Sequence, residues 1–373
     1  MLVFNKSLIQ TAAATSAAID GSNNSESLFS KCAAASAIII ITAANCIGVR
    51  ESTVFQNVLT STKVILVLIL FLAALVFAVH LKSIENNNNI IANDDDDDLV
   101  GGINSHIAVM NSNLSLSSSF KHSNGVLQFF SSLIACLWSF DGWADLNFMS
   151  EELRMPNQLP KIIFTGLAIV TVCYILANIS FLIVLSAQSI ITSPAIGYEF
   201  GFFISTRGDP FLPLFFAAGV ALSTCGSLNG SIMTGGRAFY AVARDGKAPK
   251  FFSKINSVGS PYTALIAQGV WSLVLLSLPG SNFQALLNYF GPASWCFYAF
   301  TSSSVIALRY KYPNLLRPFK VPFYPFPPLI VISIALTIVV SALIRDPFFC
   351  LLSFAFILLS VPVHIFFFER KWI

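Results

Sequence analysis

The chain alternates long apolar runs with short polar connections. Apolar stretches fall at 33–49, 57–80, 126–148, 162–187, 211–242, 262–279, 283–308, 327–344 and 347–368. A helix needs about 20 such residues to cross the hydrocarbon core of a bilayer. Backbone amides in that solvent must be satisfied within the segment, so the pattern predicts membrane-spanning α-helices. The first run is short, but Ala33 to Val49 contains Ile38, Ile39, Ile40 and Ile41 and no charge. The run at 211–242 turns polar near its end, so its last turns are expected to leave the membrane.

The placement of Lys and Arg sets an orientation. With the connection after the first run placed inside the cell, strict alternation puts 14 of the 21 basic residues inside, among them Arg50, Arg154, Lys161, Arg237, Arg244, Arg309 and Arg317. Six fall outside, and Lys63 lies within a span. The N-terminus is then outside and the C-terminus inside. Four regions follow: a polar outer tail at 1–31, two spans at 32–83, a low-complexity outer loop at 84–125, and seven spans with a short inner C-terminus at 126–373. The outer loop holds four consecutive Asn residues, the run Asp94 to Asp98 and a Ser-rich stretch, and this composition predicts disorder. The acidic run lacks the glycine and spacing of a calcium loop. Asn23-Asn-Ser25 and Asn113-Leu-Ser115 are glycosylation acceptors if these regions lie outside; Asn178 and Asn229 match the same pattern within spans.

Composition agrees with this class. The chain is 55% hydrophobic and 10% charged, with 35 Phe residues, against roughly 25% charged residues in a soluble domain. A net charge of +3 gives no strongly basic surface for nucleic acid. The seven cysteines sit mostly in apolar runs without CxxC spacing, which reads as small buried hydrophobes rather than a metal or disulfide framework. The four histidines are scattered, and no HExxH, GxSxG or Walker A sequence has the context it needs. An enzyme is therefore not expected, and neither a cofactor nor a metal is implied.

Three places interrupt the apolar pattern at membrane depth, where polar groups are expensive and usually functional. In Leu137-Trp-Ser-Phe-Asp-Gly-Trp143, Asp141 and Gly142 are poor helix formers in mid-span. A helix broken there would present free carbonyls, with partial negative charge, to a substrate ammonium. The alternative is an interfacial Asp within an aromatic belt of Trp138 and Trp143. Lys63 lies about one and a half turns into the second span, where a fixed functional charge and a snorkelling side chain are equally compatible with the spacing. Gly291-Pro292 would kink or open the seventh span, either for packing or as a gate. Gly226 and Gly230, four apart, permit close helix approach.

The order of these motifs resembles the L-type amino acid transporters, the light chains of heteromeric transporters in the amino acid–polyamine–organocation superfamily. The resemblance is carried by Ser139-Phe-Asp-Gly-Trp143 with Glu151-Glu-Leu-Arg-Met-Pro-Asn157, by Cys225-Gly-Ser-Leu-Asn-Gly-Ser231 with Ala243-Arg-Asp-Gly246, by Leu287-Asn-Tyr-Phe290, by Arg317-Pro-Phe-Lys-Val-Pro322 and by Thr42-Ala-Ala-Asn-Cys46. It implies an all-α membrane protein with a LeuT-like inverted-repeat fold lacking about the first three transmembrane helices, so that the chain would be the C-terminal three quarters of a transporter. It also implies a sodium-independent secondary transporter of neutral or broad-range L-amino acids, working by alternating access and exchange, more at the plasma membrane than at internal membranes. Trp138 would gate the substrate, Ser139, Phe140, Asp141 and Gly142 would form the unwound segment, and Phe290, Ser294 and Trp295 would lie near the substrate side chain. Lys63 would stand where relatives place a sodium ion. The tail before Lys31 has no cysteine for a disulfide to a heavy-chain glycoprotein, so pairing with such a partner would be noncovalent. The competing expectation is a truncated, transport-inactive chain acting as a binding or regulatory membrane subunit.

Overall fold

The computed structural model describes residues 24–90, 97–115, 136–137, 139–153, 155–193, 195–205, 209–277, 283–317, 319–345 and 347–365. Among these residues there is helix and no strand. The helices are α1 (Asn24–Ile47), α2 (Val49–Ile90), α3 (Asp97–Leu114), α4 (Leu159–Val184), α5 (Ala187–Thr192), α6 (Ile196–Ile204), α7 (Phe211–Arg244), α8 (Tyr262–Ser277), α9 (Phe283–Lys311), α10 (Phe326–Arg345) and α11 (Pro347–His364). Short 3₁₀ helices occupy Asp145–Glu152, Pro156–Gln158 and Lys250–Ser253. Five segments are long and apolar enough to cross a membrane: Ser30–Ile47, Val49–Ile84, Leu159–Val184, Phe211–Arg244 and Phe326–Ile344. Helices α8 and α11 are apolar but shorter.

The long helices bury one apolar face and expose another. On α2, the buried positions Ser52, Leu59, Leu66, Leu70, Ala74 and Leu81 recur at helical spacing. The opposite face exposes Val58, Ile65, Leu72, Val76 and Val79. Both faces are apolar, so burial here cannot be driven by escape from water alone. Close packing of small residues carries the contact instead. Helix α7 shows it best. Its buried stripe runs through Phe216, Gly219, Ser223, Gly226, Asn229, Met233 and Arg237. A Cβ at Gly219 would lie 2.6 Å from Leu66 of α2, and one at Gly226 would lie 3.1 Å from Leu59. At the other end, a Cβ at Gly201 of α6 would lie 2.6 Å from the Leu212 carbonyl oxygen and the Pro213 Cα. Helix α7 is thus the element against which α1, α2, α6 and α8 all pack.

Two clusters of helix ends mark the two ends of the bundle. At one, the α1 C-terminus meets the segment before α8: the Asn256 side chain donates to the Cys46 carbonyl at 2.9 Å, and the Ser260 hydroxyl donates to the Asn45 carbonyl at 2.7 Å. The α7 C-terminus and the 3₁₀ segment Asp145–Glu152 join there through ion pairs. At the other, α3 sits on the α4 C-terminus, and His106 stands edge-on to Phe203 of α6 at 6.0 Å.

The outer loop departs from its expected disorder. Helix α2 continues to Ile90, and α3 fills Asp97–Leu114. Ile107 and Met110 are buried, and the Asn113 side chain donates to the carbonyls of Leu182 (3.1 Å) and Leu185 (2.9 Å). Composition missed this because two apolar side chains and one Asn, facing one way, suffice to dock a short helix. Asn113 is consequently a poor glycan acceptor in this packing, since both of its amide hydrogens are engaged. Helix α9 runs unbroken through Gly291 and Pro292, so of the two alternatives, a kink or an opening, the opening is not present there. Asn23, the tail before it, residues 126–135 and 138 of the third predicted span and the last eight residues lie outside the described residues.

Candidate functional site

At Asp141-Gly142 the backbone is not helical. Residues 140–144 form turns, and a 3₁₀ helix begins at Asp145. Gly142 has φ +95°, a region that L side chains avoid. The Phe140 amide donates to the Leu137 carbonyl at 3.1 Å, and the Asp145 amide to the Gly142 carbonyl at 3.1 Å. Among the described residues, the carbonyls of Phe140 and Asp141 accept no backbone hydrogen bond. Two acceptors therefore remain free at the point where a helix would have consumed them.

Two phenols contact this segment. The Tyr174 hydroxyl of α4 donates to the Ser139 carbonyl at 2.6 Å, and its ring meets Phe140 edge-on at 5.4 Å. The Tyr298 hydroxyl of α9 donates to the Asp141 carboxylate at 2.9 Å. Tyr298 also contacts Trp143 at 5.6 Å and Trp295 at 5.4 Å between ring centroids. The Asp145 carboxylate turns back toward the same segment, 3.6 Å from where a Cβ on Gly142 would lie. The break thus bears more negative than positive charge, which suits a cationic group on a ligand.

Of the sequence-derived candidates, Ser139, Phe140, Asp141, Gly142 and Trp295 meet in this assembly through Tyr174 and Tyr298. Ser294 is half-buried on the α9 row that runs at four-residue intervals from Phe290 to Tyr298. Phe290 is 54% exposed and is not drawn into contact with the break. Trp138 lies outside the described residues. Lys63 is half-buried elsewhere: its ammonium donates to the Ser227 hydroxyl of α7 at 2.9 Å and packs beside Gly226. No carboxylate lies within ion-pair distance of it among the described residues. It is therefore a cation facing a neighbouring helix rather than a side chain reaching for headgroups.

Sequence reasoning missed both tyrosines. A buried phenol normally finds a partner for its hydroxyl, and an isolated Tyr within an apolar run was the available signal. It also missed a polar seam among α1, α2 and α7. There Asn45 donates to the Asn229 side chain at 2.7 Å, Asn229 donates to Gln56 at 2.7 Å, and the Ser52 hydroxyl donates to Asn45. No group of His, Cys, Asp or Glu among the described residues could hold a metal ion. All seven cysteines are free thiols.

Comparison with known proteins agrees with this architecture. Residues 1–366 match the family model described as amino acid permease. The chain is 34% identical to the mouse b(0,+)-type amino acid transporter 1 over 319 residues, 85% of this chain and 58% of that protein. It is 32% identical to the human cystine/glutamate transporter over 61% of the chain and 44% of that protein. It is 34% identical to the mouse large neutral amino acids transporter small subunit 2 over 61% of the chain and 42% of that protein. The chain spans about half the length of the curated relatives it matches. An all-α bundle of apolar helices, broken at an Asp-Gly step and matched along nearly its whole length, belongs to the amino acid permease family of multi-pass membrane proteins.

Proposed function

We propose that this chain supplies the greater part of a sodium-independent transporter of L-amino acids, of neutral or broad range, that exchanges substrates by alternating access. The observation that carries the reading is the break at 140–144, with the free carbonyls of Phe140 and Asp141 beside the Asp141 carboxylate. These groups meet the substrate ammonium, with Trp138 over it and Phe290, Ser294 and Trp295 toward its side chain. Lys63 takes the place of a coupling cation, held against Ser227 and Gly226. The relatives named for b(0,+)-type, cystine/glutamate and large neutral amino acid transport support this substrate class. Noncovalent pairing with a heavy-chain glycoprotein at the plasma membrane completes the proposal, since one of these relatives is named a small subunit.

The test is exchange of labelled leucine, arginine and cystine by the chain in proteoliposomes, with and without sodium. Exchange of at least one, unchanged by sodium, is expected. Lys63→Ala should abolish it while the variant still inserts and folds. Full exchange by that variant would refute the role of Lys63. Substrate binding without exchange would favour the second reading, a binding or regulatory membrane subunit, which the partial span of the relatives keeps in view.

A further inference from the structure

The connection from α9 to α10 carries cations that no carboxylate among the described residues neutralises. From Arg309 to Phe326 the sequence has four basic residues, Arg309, Lys311, Arg317 and Lys320, and no Asp or Glu. The Arg317 guanidinium donates to the carbonyls of Tyr312 (2.8 Å), Leu315 (3.0 Å), Pro313 (3.3 Å) and Leu308 (3.4 Å). These acceptors close the end of α9 but leave the charge intact. Arg309 stacks 3.9 Å from the centre of the Tyr324 ring, and its Nε is buried with no hydrogen-bond partner. Lys311 lies over Tyr312, again a neutral partner. The two ion pairs found among the described residues lie elsewhere, on Arg237 and Arg244.

The same segment thrusts apolar side chains outward. Leu316 is 94% exposed and Phe323 is 85% exposed. Phe323 adopts φ +53°, an unfavourable backbone for an aromatic residue, and so displays its ring at a conformational cost. Such exposure is unfavourable in water. It is favourable where a bilayer begins, with apolar tips in the acyl boundary and cations at phosphate level. Helix α10, apolar enough to span, starts directly after this segment, which fixes it at that depth.

We propose that the α9–α10 connection binds the headgroups of anionic phospholipids. Leu316 and Phe323 anchor it, and Lys311 and Lys320 contact the phosphate and carboxylate groups. The Lys and Arg bias places this connection at the inner leaflet, where anionic lipids give a negative surface potential. The inference does not depend on transport.

Native mass spectrometry of the full chain, released from neutral detergent with equimolar phosphatidylserine and phosphatidylcholine, tests it. Several-fold preferential retention of phosphatidylserine is expected. K311Q/K320Q should lose the preference, and K311R/K320R should keep it, with both melting like the parent in phosphatidylcholine; should the double variant melt early, K320Q alone is read instead. L316S/F323S should retain less of both lipids. Equal retention of the two lipids by the parent, or an undiminished preference in the Gln variant, would overturn the proposal. Displacement of phosphatidylserine by millimolar inorganic phosphate would reveal a soluble-anion site and overturn it as well. So would a dimer of the chain that L316S/F323S abolishes, since the apolar tips would then serve a second copy.

Discussion

Single residues fix the geometry of the break. Gly142 is tolerated at φ +95° because it has no Cβ. Gly142→Ala should cost about 1–2 kcal/mol through the left-handed backbone alone. The same substitution should sharply reduce labelled amino acid uptake, because the segment would rewind toward helix; unchanged uptake at wild-type expression would dissociate the break from function. Tyr298 gives a cleaner probe. Tyr298→Phe keeps the ring contacts with Trp143 and Trp295 and deletes the hydroxyl that donates to Asp141. A hydrogen bond to a charged group contributes about 1.5–3 kcal/mol, so uptake efficiency should fall about tenfold or more, 1.4 kcal/mol being one factor of ten. An efficiency within twofold of the parent would remove Tyr298 from the site.

At the scale of elements, helix approach is decided by what a glycine faces. A Cβ at Gly201 would strike α7 backbone at Leu212 and Pro213, which cannot give way. A Cβ at Gly219 would strike the tip of the Leu66 side chain, which can rotate. Gly201→Ala should therefore destabilise by about 2–3 kcal/mol and Gly219→Ala by about 1 kcal/mol. Thermal unfolding in detergent, read by tryptophan fluorescence, ranks the two; the reverse order would contradict the packing described for α6 and α7. Helix α3 follows the same logic with a polar clamp, since Asn113 ties it to two carbonyls at the end of α4.

At the scale of the whole molecule, the break is tied to the α7 scaffold by two ion pairs of unequal character. Arg237 is 7% exposed and forms a two-point contact with Glu152, its Nη2 standing 3.2 Å from Oε2, while Nη1 donates to the Met233 carbonyl at 2.8 Å. Arg244 meets Glu151 at 2.9 Å in the open. Removing one partner of a buried pair strands the other. Glu152→Gln should then cost about 2 kcal/mol or more, discounted because Glu152 is partly exposed, and Glu152→Gln with Arg237→Met should recover part of it. Denaturant melts of the single and double variants close this cycle, and strict additivity would show the pair to be uncoupled. The Arg244 guanidinium holds the Glu151 carboxyl below the usual carboxylate range. A depressed carboxylate contributes stability above its unfolded value, about 4.3, and loses it as pH falls through the lower folded value. Arg244→Gln should flatten that part of the acid-stability profile and lower neutral-pH stability by the same amount, both effects being small because the pair is solvent-screened.

The all-helical membrane class and the loss of helix at Asp141-Gly142 were legible because each is local. A run of apolar residues must satisfy its own amides in lipid, and Gly142 beside Asp141 weakens a helix whatever surrounds it. Lys63 was legible only as a misplaced charge; that it faces Ser227 and Gly226 rather than headgroups depended on which side of α2 meets α7. Tyr174 and Tyr298 were not legible as site residues, since nothing near them in the chain says that their hydroxyls reach Ser139 and Asp141, 35 and 157 residues away. Helix α3 was misread for a related reason: its mean composition is that of a solvated loop, while its docking depends on Ile107, Met110 and Asn113 sharing one face. The sequence by itself determined a multi-pass helical membrane protein whose backbone leaves the helix at Asp141-Gly142, because those properties are set by hydropathy and backbone preference over single turns. Only the tertiary structure decided which groups hold the break and which cations remain unpaired, because those depend on contacts between residues that the chain keeps far apart.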